Sequence, residues 1–241
     1  MTYRFFALPE SFRDERVLLD SGETRHLRDV LRLTEGANVN VFDGCGREFS
    51  CTVVEIKKVE TELLILSELS ASSPESSYEL TLAAAMLKGE KFDLVVQKAV
   101  ELGVTRLIPL RTKRCDVKPR DALKRVERWR KIALEASKQT GRAKLMRVDE
   151  PFGLDELLSA DIALNEMVLF SEREGEPFAS IGSLERTTAI VGPEGGWDDD
   201  ELKDARSTGI KVVTLGGRIL KAETAAIALA AVLQHRFGDL N

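Results

Sequence analysis

The chain has 241 residues, 43% of them hydrophobic and 31% charged, with a formal net charge of −5, enough to build one large domain or two modest ones. No apolar run reaches the roughly 20 residues that span a bilayer, and the opening Met-Thr-Tyr-Arg-Phe-Phe lacks the apolar core of a signal peptide, so a cytosolic location is expected. Cys45, Cys51 and Cys115 are odd in number and without close metal-ligand pairs, and His26 and His235 lie far apart, which argues against a disulfide framework and a metal site.

Arg4-Phe5-Phe6 and Val17-Leu18-Leu19 read as short strands around a polar turn. Leu27, Val30 and Leu31 then recur at helical spacing, while Arg25, Arg28 and Arg32 share the opposite face. Taken alone, such a charged face serves solubility. From Val39 to Leu66 the period drops to two, through Val39, Val41, Phe49, Cys51, Val53, Leu64 and Leu66, as in a small barrel. Leu69 to Tyr78, with five serines and Pro74, has the composition of a linker. The expected domains are therefore 1–70 and 79–241, joined by 71–78.

Past the linker, strand and helix alternate. Leu80 to Leu87 is a continuous apolar strand of the kind found in a sheet covered on both faces. Phe92, Val95, Val96, Ala99 and Leu102 mark a helix ended by Gly103, and Val104 to Leu110 forms the next strand; a crossover helix makes the two strands parallel. Between Arg111 and Arg147 there are 14 Lys or Arg against four acids, about +10, which leaves about −15 for the rest of the chain. This segment opens as a loop to Arg120 and continues as a helix. Its buried side is Ala122, Val126, Trp129, Ala133 and Ala136, and Lys124, Arg125, Arg128, Arg130 and Lys131 lie elsewhere. A basic face for a polyanion and an ordinary solvated helix weigh about equally on charge alone. Short elements are expected at Leu145 to Val148, Leu154 to Ser159 and Ala163 to Phe170. Ser171 to Ile181 reads as a loop.

The C-terminal stretch carries the chemistry. Thr188-Ala-Ile-Val191 is a strand entering Gly192-Pro-Glu-Gly-Gly-Trp197; Asp198 and Glu201 have capping-box spacing for a helix that runs to about Arg206 before Gly209. Ile210 to Leu215 repeats the strand, Gly216-Gly217-Arg218-Ile-Leu220 repeats the glycine loop, and a largely buried helix follows from Glu223. In a parallel sheet both loops lie beyond the carboxyl ends of the strands, where ligands bind. Neither a phosphate loop nor a dinucleotide fingerprint is present. Glu194 with Asp198, Asp199 and Asp200 would repel an anion, so an uncharged or cationic ligand fits better.

"IVGPEGGW" followed by "LGGRILKAETAA" resembles the paired signature of the RsmE-type ribosomal RNA methyltransferases of the SPOUT superfamily; "RHLRDVLR", "KGEKFDLVVQKAVELGV" and "EASKQTGR" resemble further segments of that family. Lys138 departs from it, where an acid is expected in many relatives. The resemblance implies an α/β fold, a trefoil-knotted parallel sheet with helices on both faces preceded by a small PUA-like β-barrel. It further implies a homodimer that uses S-adenosylmethionine to methylate N3 of a uridine in 16S ribosomal RNA. The cofactor would meet Gly192, Glu194, Gly195, Gly196, Leu215, Gly216, Ile219, Leu220 and Ala225, with Leu169 and Phe170 beside the adenine. Arg218, ahead of Glu223, is the candidate catalytic group. Arg4, Arg25, His26, Arg28, Arg32, Lys88, Lys91, Arg125, Arg128 and Arg142 are candidates for RNA. The alternatives are a non-catalytic RNA-binding or ribosome-assembly module, with inert glycine loops, and a SPOUT methyltransferase acting on another nucleotide.

Overall fold

The computed structural model describes residues 2–117, 119–159 and 166–240. It resolves into two compact units, Met1–Glu75 with Ser137–Leu145, and Ser76–Ala136 with Met146–Asn241. The boundary at Glu75 falls inside the serine-rich stretch. The return of 137–145 to the N-terminal unit has no signal in composition.

The N-terminal unit is a six-stranded sheet. In spatial order its strands are β1 (Arg4–Phe6), β4 (Asn38–Phe42), β5 (Glu48–Ile56), β6 (Thr61–Leu69), β3 (Arg16–Leu19) and β2 (Phe12–Arg13), antiparallel except between β1 and β4. Phe5, Val17, Leu19, Leu27, Val39, Val41, Cys51, Val53 and Leu63 form its core. On β6 the alternation is out of phase with expectation: Thr61 and Leu63 are buried and Leu66 is 53% exposed. Leu63-Leu64-Ile65-Leu66 is apolar at every position, so parity cannot be read from it; pairing of Val53 with Leu63 and Cys51 with Ile65, between register shifts that skip Leu66 on β6 and Val54 on β5, sets the face.

Between β3 and β4, helix α1 (Ser21–Arg25) is capped by Asp20, whose carboxylate accepts from Glu23 N–H at 2.8 Å. It runs into a π-helical turn, His26–Val30, closed by Leu31 N–H to His26 O at 3.0 Å. The wider turn shifts the helical phase, so Val30, expected inside, is 65% exposed, and Arg32 leaves the helix at φ +53°. The face of Arg25, Arg28 and Arg32 is thus a helix turn followed by a left-handed corner.

The C-terminal unit is a wholly parallel sheet in the order β10 (Phe152–Gly153), β8 (Arg106–Arg111), β7 (Glu79–Ala85), β13 (Arg186–Val191), β11 (Met167–Phe170), β14 (Lys211–Thr214) and β12 (Glu176–Pro177), with β9 (Arg147–Val148) also on β8. One face packs on α2 (Lys91–Glu101), α3 (Pro119–Thr140) and α6 (Ala222–Phe237) through Phe92, Val96, Trp129, Ala133, Ala226 and Leu229. The other packs on α4 (Leu154–Leu158) and α5 (Asp199–Ser207) through Leu154, Leu157, Leu202 and Ala205. The apolar β7, β11 and β13 follow from burial on both sides. Val126, Trp129, Ala133 and Ala136 are buried as the helical spacing requires; the side chain of Ala122, and residues 163–165 of the predicted strand, lie outside the described residues. The supposed loop after Ser171 contains the edge strand β12, two residues including a proline, which the preference for longer non-proline runs conceals.

Candidate active site

Because β11 lies between β13 and β14, three strand ends open side by side. The loops that leave them wall a cavity of about 790 Å³, within the range of about 300–1,000 Å³ usual for small-ligand pockets. Phe170, Gly192, Glu194, Gly195, Gly196, Leu215, Gly216, Ile219, Leu220 and Ala225 line it, as do Arg218 and Glu223. These are the residues anticipated, with one exception. Leu169 is fully buried in the core beneath α4 and α5. Neighbouring strand residues point to opposite faces, so the Phe170 side chain faces the cavity and that of Leu169 the core.

Ser171, Glu172, Arg173, Pro193, Gly217, Lys221 and Lys91 also line the cavity and were not foreseen there. The first three follow β11, so the rule placing ligands beyond parallel strand ends would have found them. Lys91, expected to face RNA, instead donates to Glu194 at 2.9 Å. That hydrogen bond holds the ammonium above its ordinary pKa, with a smaller contribution from the charge of Glu223.

The first glycine loop is fixed by packing and by cations. A Cβ at Gly192 would stand 2.9 Å from the Trp197 ring, and one at Gly196, which has φ +67°, would overlap the Glu172 carboxylate. Trp197 is fully buried and its indole N–H donates to Phe170 O at 2.7 Å, tying this loop to the end of β11. Arg173 donates to Trp197 O and, at 3.3 Å, to Asp199. Asp198 caps α5, forming a capping box with Glu201. Its carboxyl is held below the ordinary range, chiefly by the hydrogen bond from Lys113.

The second loop carries exposed Arg218 and Ile219, the latter 82% exposed, and leads into α6. Glu223 sits in the first turn of that helix, and its Oε2 is buried with no hydrogen-bond partner among the described residues. A buried carboxylate oxygen left in this way is costly unless a donor or cation meets it. The cavity itself brings three acids, Glu172, Glu194 and Glu223, together with four cations, Lys91, Arg173, Arg218 and Lys221, among apolar walls, so it offers both signs of charge to a ligand with a polar and an apolar part.

The candidates for RNA divide. Arg4 and Arg142, with side chains 10% and 5% exposed, are structural. Arg4 makes a paired contact with Glu48 at 2.9 and 3.1 Å and donates to the carbonyls of Ser137 and Lys138; Arg142 pairs with Glu75 at 2.6 Å. Lys138 pairs with Glu23 instead of extending a basic patch. Nothing in spacing could show that Arg4 and Lys138 meet buried acids and Arg142 a half-buried one. Arg28 is held by Asp29 and the Lys57 and Lys58 carbonyls, Arg128 by Asp93 at 2.6 Å, Lys88 by Asp116 at 2.8 Å, and Arg125 reaches Leu87 O at 3.5 Å. Arg25, His26 and Arg32 are exposed, with Arg25 3.9 Å from Asp29. Among the described residues no cluster of His, Cys, Asp or Glu could hold a metal ion, and no helix is long and apolar enough to cross a membrane.

The family model of an RNA methyltransferase domain matches residues 74–234, and that of an RNA methyltransferase PUA domain matches residues 19–64. A parallel α/β unit with a glycine-walled pocket, in one chain with such a domain, defines the class as RNA methyltransferases. Ribosomal RNA small subunit methyltransferase E of Synechocystis is 31% identical over 96% of this chain and 77% of its own, and the Bacillus subtilis protein of that name is 31% identical over 87% and 86%. The crystal structure of the Neisseria gonorrhoeae enzyme of that name, bound to S-adenosylmethionine, superposes with a TM-score of 0.91 at 34% identity over the full length of both chains. A Legionella pneumophila methyltransferase in complex with the same cofactor gives 0.90 at 31%, again over both whole chains. The chain belongs to the ribosomal RNA small subunit methyltransferase E family.

Proposed function

We propose that this chain transfers the methyl group of S-adenosylmethionine to N3 of a uridine in 16S ribosomal RNA. The observation that carries the reading is the cavity at the ends of β11, β13 and β14, with two glycine loops as walls and Arg218 and Glu223 at its lining. The backbone of Gly192, Gly195, Gly196, Leu215 and Gly216 would hold the cofactor, with Phe170, Ile219, Leu220 and Ala225 against its apolar parts and the acids facing its positive charge. When bound, the cofactor supplies a methyl group already activated by cationic sulfur.

The chain's own task is then to place the base and manage one proton. Arg218, exposed at the cavity, holds a uracil carbonyl oxygen and offsets the negative charge that grows as the imide proton leaves. Glu223 receives that proton. The N3 lone pair forms the bond to carbon, and the sulfur keeps the electrons of the bond that breaks. The Watson–Crick edge must be free, so the uridine is unpaired or drawn out of its stack. Arg25, His26 and Arg32 of the N-terminal unit, with Arg28, Lys88, Arg125 and Arg128, supply cationic groups for the RNA backbone. The reading includes action in the cytoplasm, a knotted chain path and a homodimer whose second subunit completes the site.

The test is incubation with methyl-labelled S-adenosylmethionine and either naked 16S RNA or small subunits, followed by mapping of the labelled position. Label confined to N3 of one uridine is expected. Label at another atom or nucleotide rejects the assignment, and RNA binding without label leaves the non-catalytic alternative.

A further inference from the structure

The segment Arg111 to Arg120 reads in sequence as the opening of a basic surface, yet two of its cations face the acidic glycine loop. Arg114 donates through one terminal nitrogen to Gly195 O at 3.2 Å and through the other to Asp198 at 3.3 Å. Its aliphatic stem covers Gly195 on the side away from the cavity: a Cβ there would lie 3.2 Å from Arg114 Cβ and 3.6 Å from its Cδ. Lys113 donates to Asp198 at 3.1 Å and Asp200 at 2.5 Å, and its peptide N–H donates to Glu201 at 2.8 Å. The other oxygen of Glu201 accepts from Asp198 N–H, so the same acid closes the capping box of α5. Two successive residues of the loop after β8 therefore hold both ends of the segment from Gly195 to Glu201.

We propose that Arg114, supported by Lys113, is a positioning residue for the cofactor. It fixes the backbone of Gly195 and Gly196 in the conformation that receives S-adenosylmethionine, without touching the ligand. This rests on the functional reading above and adds to it a residue whose charge otherwise suggests RNA. The physical reason is preorganisation: a loop of glycines has many conformations to lose on binding, and a brace outside the pocket removes them beforehand. Arginine suits the position because its planar fork reaches a carbonyl and a carboxylate at once, whereas lysine presents a single donor centre. Exposed ion pairs add little to global stability, so the brace should register in ligand affinity more than in melting.

The experiment titrates S-adenosylmethionine calorimetrically into the full-length protein and into Arg114→Ala, Arg114→Lys and Lys113→Ala, with steady-state methylation of small-subunit RNA alongside. Arg114→Ala should weaken cofactor affinity roughly 10-fold and Arg114→Lys about 3-fold, with kcat at saturating cofactor, the KM for RNA and the Tm essentially unchanged. Cofactor affinity within about twofold of wild type in both Arg114 variants overturns the proposal, as does a defect confined to the KM for RNA, which would return the loop to polyanion binding. If Arg114→Ala melts early, Arg114→Lys, which keeps charge and stem, decides by the same criteria. A wild-type protein that binds no cofactor rejects the functional reading itself, whereas cofactor binding that ignores Arg114 rejects only the brace.

Discussion

Arg4 and Arg218 are two of 35 cationic side chains, and their surroundings give them opposite tasks. Arg4 meets fully buried Glu48, where removing one partner strands a charge, so Arg4→Met should cost about 3–5 kcal/mol in denaturant unfolding and leave cofactor affinity alone. Burial pushes the Glu48 carboxyl up, but the hydrogen bonds and charge of Arg4, with Asn40 and Ser72, outweigh it and the net shift is downward. A carboxyl that titrates lower folded than unfolded stabilises fully above its unfolded pKa, and that contribution is lost as pH falls through the folded value. Stability measured against pH should therefore drop at the acid end in the wild type, and Glu48→Gln should be less stable at neutral pH with a shallower acid limb. Arg218 is exposed at a cavity wall, so Arg218→Ala should lower kcat by about 10²–10³-fold, the usual effect of removing a donor that meets developing charge. Its cofactor affinity should change little; parallel losses in both would move Arg218 from the reacting base to the cofactor.

At the scale of elements, the glycine loops depend on what stands behind them. Gly196→Ala forces a left-handed residue to carry a Cβ into Glu172, a strain of about 1–2 kcal/mol before the loop moves, so cofactor Kd should rise at least 5–30-fold by calorimetry, by an order-of-magnitude estimate. Asp198→Ala removes the cap of α5 and the carboxylate that meets Lys113 and Arg114. A loss of about 0.5–2 kcal/mol is expected from the cap alone, read as a lower Tm, together with weaker cofactor binding. This capping box is legible in sequence because Asp198 and Glu201 act within one turn. The face of β6 is not, since four consecutive apolar residues have no parity until β5 pairs with them. The same limit separates Leu169 from Phe170: alternation says that one faces the cavity, and only the position of α5 says which.

For the whole molecule, a net charge of −5 and a cationic 111–147 segment suggest one basic face. The structure pairs part of that charge with acids of the same chain, Lys138 with Glu23, Arg142 with Glu75, Arg128 with Asp93, and Lys113 with Asp198 and Asp200. In the proposed function the exposed Arg25 and Arg32 are among the groups that meet RNA. Reversing both to Glu should raise the KM for RNA and flatten its salt dependence, because a protein that neutralises fewer phosphates releases fewer counterions, while cofactor Kd stays constant. Sedimentation at micromolar concentration should give twice the chain mass if a second subunit completes the site.

Strand, glycine loop and helix, twice over near the C-terminus, followed from the order of amino acids alone. Caps, turns and hydrophobic periods are interactions among neighbours in the chain, and their residue types suffice to identify them. The placement of β11 between β13 and β14, the return of 137–145 to the N-terminal unit, and the division of the cations between buried acids and solvent were decided by tertiary structure. Each depends on residues tens of positions apart, and the energy of a charge or an apolar face is set by what packs against it.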